Sequence, residues 1–129
     1  MKVSSRELVE RAEAEIETLS VEQAKALVGR DDVLIVDLRD VRERKREGWI
    51  PGSFHMPRGM LEFWIDDESP YYKAEQFGQG KRIVFHCNKG WRSALATQTA
   101  QAMGLENCCH IGGGFSAWAE AGAPIEKEA

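Results

Sequence analysis

The sequence predicts an α/β fold with a central, mainly parallel sheet flanked by helices. The short and almost continuously apolar run over residues 33–38 is typical of a strand that is buried on both faces of such a sheet, and residues 82–86, with the apolar centre Ile83–Phe85, are the second strong strand. Segments with helical spacing lie around these runs, and this alternation favours parallel strands joined by helices. A chain of 129 residues has the length of one domain.

The segment before the first buried strand is predicted to be helical. Residues 5–18 carry apolar side chains at near-helical spacing, after a serine that can cap a helix. The run from Ser20 to Gln23 has the capping-box pattern, in which each end of the motif satisfies a backbone N–H of the other. A second helix should therefore cover residues 21–28 and end at Gly29.

The middle of the chain is predicted to be more irregular. Residues 41–47 favour a short polar helix that Gly48 ends. The predicted elements that follow are a turn over 49–52, a brief strand over 54–56, a helical turn or two over 60–65 and mostly loop over 66–80.

The last third returns to alternating strands and helices. After the strand over 82–86, the predicted elements are a helix over 93–103 capped by Gly104, a weak strand over 108–111, a tight turn at 112–114 and a short helix over 116–121.

Composition and charge restrict the class of protein. The net charge of −4 argues against broad nucleic-acid binding through a basic surface. Three cysteines, of which Cys108 and Cys109 are neighbours, make a poor disulfide framework and indicate a reducing compartment. We recognise no secretory signal and no apolar run long enough to span a membrane, so we expect a cytoplasmic protein without a membrane partner.

The most informative segment is the loop that begins at Cys87. This residue follows a buried strand and precedes a helix, and ligands bind beyond the carboxyl ends of parallel strands. The short loop contains Gly90, so successive backbone N–H groups can point at one centre and bind an anion. The helix N-terminus and the charges of Lys89 and Arg92 add to this field and favour the thiolate of Cys87 over the thiol.

Four stretches, taken together and in this order, resemble the rhodanese homology domain over about Ser20 to Ile125. They are Asp37-Leu-Arg39 followed by Glu43, the segment Gly48-Trp-Ile-Pro-Gly-Ser53, the loop Cys87-Asn-Lys-Gly-Trp-Arg-Ser93 and the closing stretch Gly112-Gly-Gly-Phe-Ser-Ala-Trp118. The resemblance implies a three-layer sulfurtransferase fold for residues 20–129. Residues 1–19 then form a helical extension outside the family pattern. We favour packing of that helix on the domain over a partner-binding role.

The resemblance also implies the chemistry. Cys87 would attack the outer sulfur of a donor such as thiosulfate, form a persulfide and pass the sulfur to an acceptor in a second half-reaction. Arg92 is the second expected catalytic residue, with its charge on the substrate or on a nearby carboxylate. The expected substrate-binding residues are Asn88, Lys89, Gly90, Trp91 and Ser93. We expect no cofactor and no metal. The expected partners are a small anionic sulfur donor and a protein thiol or persulfide acceptor.

Two alternatives remain open on the same scaffold. A Cys-dependent phosphatase or arsenate reductase resembles this domain, but its loop has five residues between Cys and Arg, whereas four separate Cys87 from Arg92. Some members of the family are binding modules without catalysis. These usually lack the cysteine that is present here. The family commonly has histidine where Trp49 stands, and we expect this difference to alter packing rather than activity.

Other polar and aromatic residues have plainer interpretations. His86 is expected to be a core or neighbouring histidine, because adjacent side chains on a strand point to opposite faces. At least one of Cys108 and Cys109 should pack in the core. His55 and His110 do not form a zinc spacing with these cysteines.

Two expectations concern the surroundings of the loop. Asp37 and Arg39 should be structural, with Arg39 paired to Glu43. Trp91 should be exposed and dock protein acceptors. Its expected companions in an apolar rim are Phe54, Met56, Pro57, Met60 and Trp64.

Overall fold

The computed structural model describes residues 1–128, and five parallel strands form its centre in the order β1-β5-β4-β2-β3. The strands are β1 (Thr18–Leu19), β2 (Val33–Asp37), β3 (Phe54–His55), β4 (Arg82–His86) and β5 (Cys108–Ile111). The predicted fold class is confirmed. The two strands that the sequence predicts most strongly, β2 and β4, lie side by side near the middle of the sheet.

Helices cover both faces of the sheet. They are α1 (Ser5–Glu15), α2 (Val21–Lys25), α3 (Val41–Glu47), α4 (Leu61–Ile65), α5 (Ala74–Phe77), α6 (Trp91–Met103) and α7 (Gly114–Glu120). Side chains at the helix starts fix several of these bounds. In α3, Asp40 and Glu43 form a reciprocal capping box, and in α2 Ser20 and Gln23 form another.

Two hydrophobic cores lie on opposite faces of the sheet, because alternate strand residues point in opposite directions. In β4, Ile83 and Phe85 belong to one core and Val84 belongs to the other. The core around Phe85 also contains residues of α4 and α6, and the core around Val84 contains Trp118 of α7. The domain therefore has three layers, and the carboxyl ends of β2 and β4 lie side by side.

The N-terminal segment differs from its prediction. The helix α1 ends at Glu15, three residues before the predicted bound at residue 18, because Ile16 is already extended. Thr18 and Leu19 then pair with β5 and form the edge strand β1. The last residues of the predicted extension thus belong to the sheet. The division into residues 1–19 and 20–129 stays a prediction.

Other bounds shift by a few residues. The segment 66–80 contains the short helix α5, where mostly loop is predicted. The helix α6 begins at Trp91 and α7 at Gly114, each two residues earlier than predicted, while α2 ends early at Lys25. Within residues 1–128, no helix combines the length and the apolar character that crossing a membrane demands.

Candidate active site

Cys87 lies directly after β4, at the carboxyl edge of the sheet. A short loop of three residues, 88–90, separates it from the start of α6 at Trp91. Cys87 is only 1% exposed. The loop turns sharply because Gly90 adopts a φ of +98°, which a residue with a side chain rarely does. This turn directs the backbone of the loop toward the sulfur.

Two backbone N–H groups point at the sulfur. Gly90 donates to Cys87 Sγ at 3.2 Å and Ser93 donates at 3.3 Å. The positive end of the 13-residue helix α6 begins beside them. Such an arrangement stabilises a thiolate, or the negative sulfur that replaces it, more than a neutral thiol.

A glycine turn before α7 supports the loop from behind. Phe115 donates its N–H to the carbonyl of Cys87 at 2.8 Å, and Ser116 donates to the carbonyl of Asn88 at 3.0 Å. The backbones approach so closely that a Cβ on Gly114 would lie 2.6 Å from the Cys87 carbonyl oxygen. The glycines at 112–114 predict a tight turn, but no local pattern reveals that this turn supports the loop.

Arg92 points at a carboxylate. Its guanidinium donates two hydrogen bonds to Glu43 on α3, at 2.9 Å and 3.0 Å. These bonds lower the pKa of Glu43 below its ordinary value and raise that of Arg92. Of the two options that the sequence leaves open for this arginine, the structure shows the carboxylate partner. The pair ties the first turn of α6 to α3.

The predicted pairing of Arg39 with Glu43 is wrong. Arg39 is fully buried and binds Asp37 at 2.9 Å and the carbonyl of Gly48 at 2.7 Å. A further bond joins Asp37 to Arg44 at 2.8 Å. Burial by itself would raise the pKa of Asp37, but hydrogen bonds and charge from Arg39 outweigh it and hold that pKa well below its ordinary value.

His86 is fully buried, as predicted for a core histidine. Its Nδ1 lies 3.2 Å from the carbonyl of Cys87 and its Nε2 lies 3.8 Å from Asp37 Oδ1. Burial lowers the pKa of His86, so its ring is neutral at neutral pH. These contacts place His86 behind the loop that begins at Cys87.

The remaining loop residues differ in how much of each side chain is exposed. Ser93 is buried, Asn88 is half-buried and bonded to Ser116, and Lys89 is exposed. Trp91 is 66% exposed, as predicted. It lines a groove of about 510 Å³, whose other lining residues are Ser5, Arg6, Val9, Glu10, Glu13, Arg92 and Leu95.

The predicted apolar rim around Trp91 is wrong at Met56, and three of its other members are only partly exposed. Met56 is completely buried in the core beside α4. Phe54, Met60 and Trp64 pack against the same core, with the rings of Phe54 and Trp64 5.9 Å apart. The groove beside Trp91 is lined instead by α1, which the family pattern does not include, and by Arg92 and Leu95 of α6.

A chain of polar groups that no sequence pattern reveals starts at the sulfur and passes through the buried side chains of Ser93 and His110. The Cys87 thiol donates to Ser93 Oγ at 3.5 Å, and Ser93 Oγ lies 2.9 Å from His110 Nδ1. On the other side of the ring, His110 Nε2 lies 3.1 Å from Thr18 Oγ1. Only the strand order, with β5 between β4 and β1, brings these residues together.

Cys108 and Cys109 are buried thiols that pack in the core, as predicted. Burial raises the pKa of each to about 11, so both are protonated at neutral pH. Their reactivity should therefore be low compared with that of a thiol held by backbone N–H groups.

The model of the rhodanese-like domain family matches residues 20–121. The chain belongs to this family. A mouse protein named "thiosulfate sulfurtransferase/rhodanese-like domain-containing protein 3" is 28% identical over 82% of this chain and 70% of its own length. The human thiosulfate:glutathione sulfurtransferase is 27% identical, over 80% of this chain and 93% of its own length.

A solved structure from Rhodopseudomonas palustris is similar over nearly the whole chain. It is 52% identical, with a TM-score of 0.93, and covers 98% of this chain and 96% of its own. That protein is described as having unknown function and as a possible tyrosine phosphatase. Family membership and the named relatives together support sulfur transfer as the general activity of this rhodanese-like chain.

Proposed function

We propose that the protein is a sulfurtransferase that carries sulfane sulfur as a persulfide on Cys87. The observation that carries this proposal is the pair of N–H donors, from Gly90 and Ser93, that face Cys87 Sγ at 3.2 and 3.3 Å. A pocket formed by backbone N–H groups fits one anionic sulfur. It stabilises the thiolate that attacks, and in the persulfide that results the negative charge lies on the terminal sulfur, one bond beyond Sγ.

The reaction has two half-reactions. With thiosulfate as donor, the Cys87 thiolate attacks the outer sulfur, a new sulfur–sulfur bond forms, and sulfite leaves with the electron pair of the broken bond. An acceptor nucleophile, such as cyanide or a thiolate, then attacks the terminal sulfur, and the Cys87 thiolate leaves. Ping-pong kinetics follow from this order.

The loop residues have distinct proposed roles. Gly90 and Ser93 donate to the sulfur, and exposed Lys89 attracts the anionic donor. Asn88 and Trp91 flank the approach to Cys87. Arg92 acts by position: its bonds to Glu43 hold the start of α6. The chemistry needs no metal and no organic cofactor.

A phosphatase is the second candidate, because the Rhodopseudomonas palustris protein is described as a possible tyrosine phosphatase. Two features of this chain argue against it. The loop has four residues between Cys87 and Arg92, one fewer than the phosphatase pattern. The guanidinium that would bind a phosphate is already bonded twice to Glu43.

Intact-protein mass spectrometry after thiosulfate treatment tests the proposal. We expect a gain of one sulfur atom that cyanide removes. Cys87→Ser should show no gain, whereas Cys109→Ser, which removes a buried core thiol, should gain sulfur like the wild type. If the wild type gains no sulfur from thiosulfate or from a small persulfide, the proposal is wrong. Turnover of an aryl phosphate that is lost in Cys87→Ser would then establish the phosphatase.

The acceptor and the compartment complete the proposal. Trp91 and the groove beside α1 lie next to the loop, so a protein acceptor that docks there should receive sulfur more slowly from Trp91→Ala. Cyanide, which needs no docking surface, should receive it at the wild-type rate. Equal transfer to every protein acceptor would rule out the docking role.

Three free thiols suit the reducing cytoplasm that we expect.

A further inference from the structure

A chain of four polar side chains connects the buried sulfur to an exposed edge of the sheet. Cys87 is at the end of β4, Ser93 is in the first turn of α6, His110 is on β5 and Thr18 is on β1. Ser93 and His110 are buried, while Thr18 is exposed. The successive distances are 3.5, 2.9 and 3.1 Å, so every step is within hydrogen-bond reach.

Each of the three side chains that follow the sulfur in this chain, Ser93, His110 and Thr18, can reverse its direction of donation. A hydroxyl donates one proton and also accepts, and a neutral imidazole donates from one nitrogen and accepts at the other. Burial lowers the pKa of His110 to about 4, so its ring is neutral at neutral pH. Glu17, the charged neighbour of Thr18, is ion-paired with Arg82 at 3.0 Å.

Two complete hydrogen-bond patterns therefore fit the same atoms. With a Cys87 thiol, the sulfur donates to Ser93, Ser93 donates to His110 Nδ1, and His110 Nε2–H donates to Thr18. With a thiolate or a persulfide, Cys87 Sγ carries no proton. Thr18 then donates to His110 Nε2, His110 Nδ1–H donates to Ser93, and Ser93 donates to the sulfur.

We propose that His110 is a positioning residue whose tautomer follows the state of Cys87, and that this chain carries the thiol proton to solvent at Thr18. The Cys87 proton passes to Ser93 Oγ as the Ser93 proton passes to His110 Nδ1. The proton on His110 Nε2 passes to Thr18 Oγ1, whose own proton passes to water. The products are one thiolate and one hydronium ion, and no atom is oxidised or reduced.

This inference rests on the proposed function for its purpose, since a sulfur donor in the pocket excludes water from a thiol that is 1% exposed. The chain leads across β5 to β1, at the edge of the sheet, so a proton can leave while the pocket is occupied. Ser93 then supplies a third donor to the anionic sulfur, beside the two N–H groups.

The direct test is the tautomer of His110, read from the ¹⁵N shifts of its ring while the ¹³Cβ shift of Cys87 reports thiol or thiolate. We expect the Nε2–H form wherever Cys87 is a thiol and the Nδ1–H form wherever it is a thiolate or persulfide. If one tautomer persists while Cys87 titrates, the proposal is wrong. If Cys87 is a thiolate at every pH that is measured, finding His110 in its Nε2–H form would also overturn the proposal.

Variants test the relay through the rate at which iodoacetamide alkylates Cys87, a reaction that needs no sulfur transfer. His110→Phe should slow alkylation about three- to tenfold, the value of one hydrogen bond. Thr18→Val, at an exposed position that folding tolerates, should slow it in the same direction, and Thr18→Ser should restore it. Ile111→Val, a buried control on β5, should alkylate at the wild-type rate.

A wild-type rate in Thr18→Val overturns the relay to the surface. Failure of the proposed function looks different: the wild type would gain no sulfur from any donor, while the tautomer and alkylation results would stand unchanged.

Discussion

Glu43→Gln tests whether Arg92 acts by holding the loop on α3. The Glu43 carboxylate accepts two bonds from Arg92 and one, at 2.9 Å, from the N–H of Asp40. Glutamine keeps the bond to Asp40, because it serves the same capping position, but it removes the charge and one acceptor. The variant therefore weakens the pair without breaking the helix cap.

The expected effect is modest. A hydrogen bond to a charged group contributes about 1.5–3 kcal/mol, and exposure reduces this value. The Arg92 side chain is 42% exposed. A loss of roughly 1 kcal/mol in the free energy that orders the loop corresponds to about fivefold slower loading of Cys87 with sulfur.

Rapid-quench mixing with saturating thiosulfate, read by intact mass, measures this loading. Lys45→Gln is the matched control, since it removes an exposed charge from the same helix. Arg92→Lys should also load slowly, because lysine keeps the charge but lacks the planar fork. Loading of Glu43→Gln at the wild-type rate or faster would show that Arg92 does not depend on this anchor.

The same pair predicts a pH dependence. Hydrogen bonds from Arg92 lower the pKa of Glu43 in the folded protein. Its stabilising contribution is therefore fully present above the ordinary carboxyl pKa, and is lost as the pH falls through the lower folded-state value. The difference in unfolding free energy between the wild type and Glu43→Gln should shrink over that acidic range.

Three further predictions concern the surroundings of the sulfur. Asp37→Asn leaves buried arginine charge without its partner and should lower the free energy of unfolding by about 3–5 kcal/mol in urea titration; a loss under about 1 kcal/mol would contradict this. Gly114→Ala places a Cβ 2.6 Å from the Cys87 carbonyl at a φ of +59°, so both stability and sulfur loading should fall. Iodoacetamide at neutral pH should label Cys87 well before Cys108 and Cys109, whose pKa values burial raises to about 11; equal labelling in a peptide map would refute this order.

Local signals in the sequence were enough for most of the fold. The run over 33–38 is apolar at every position but Asp37, and residues 82–86 have the apolar centre Ile83–Phe85. Such strands have few alternatives to the centre of a parallel sheet. The edge strand β1 has only two residues, Thr18 and Leu19, and no pattern of its own. It forms because β5 offers backbone partners, which no local pattern reveals.

The site divides in the same way. The loop from Cys87 to Ser93 is contiguous, so its shape follows from a strand, a glycine and a helix in sequence. The partner of Glu43 is not local: Arg39 and Arg92 both carry the required charge, and only the tertiary fold selects the more distant one. The predicted rim is wrong at Met56 for a related reason. From sequence alone, an apolar side chain fits the protein core as well as it fits an exposed rim.

Three contacts from outside the loop hold it in place, and they determine how the two candidate reactions differ in energetic cost. Glu43 on α3 holds Arg92, Gly114 lets α7 approach the loop, and His110 on β5 faces Ser93. Persulfide chemistry uses these contacts as they stand, because only backbone N–H groups and Ser93 need to face the sulfur. Phosphate hydrolysis would require Arg92 to leave Glu43 and turn toward the substrate, which breaks both of its charged hydrogen bonds. The same anchor that organises the loop for sulfur transfer therefore opposes the phosphatase reaction.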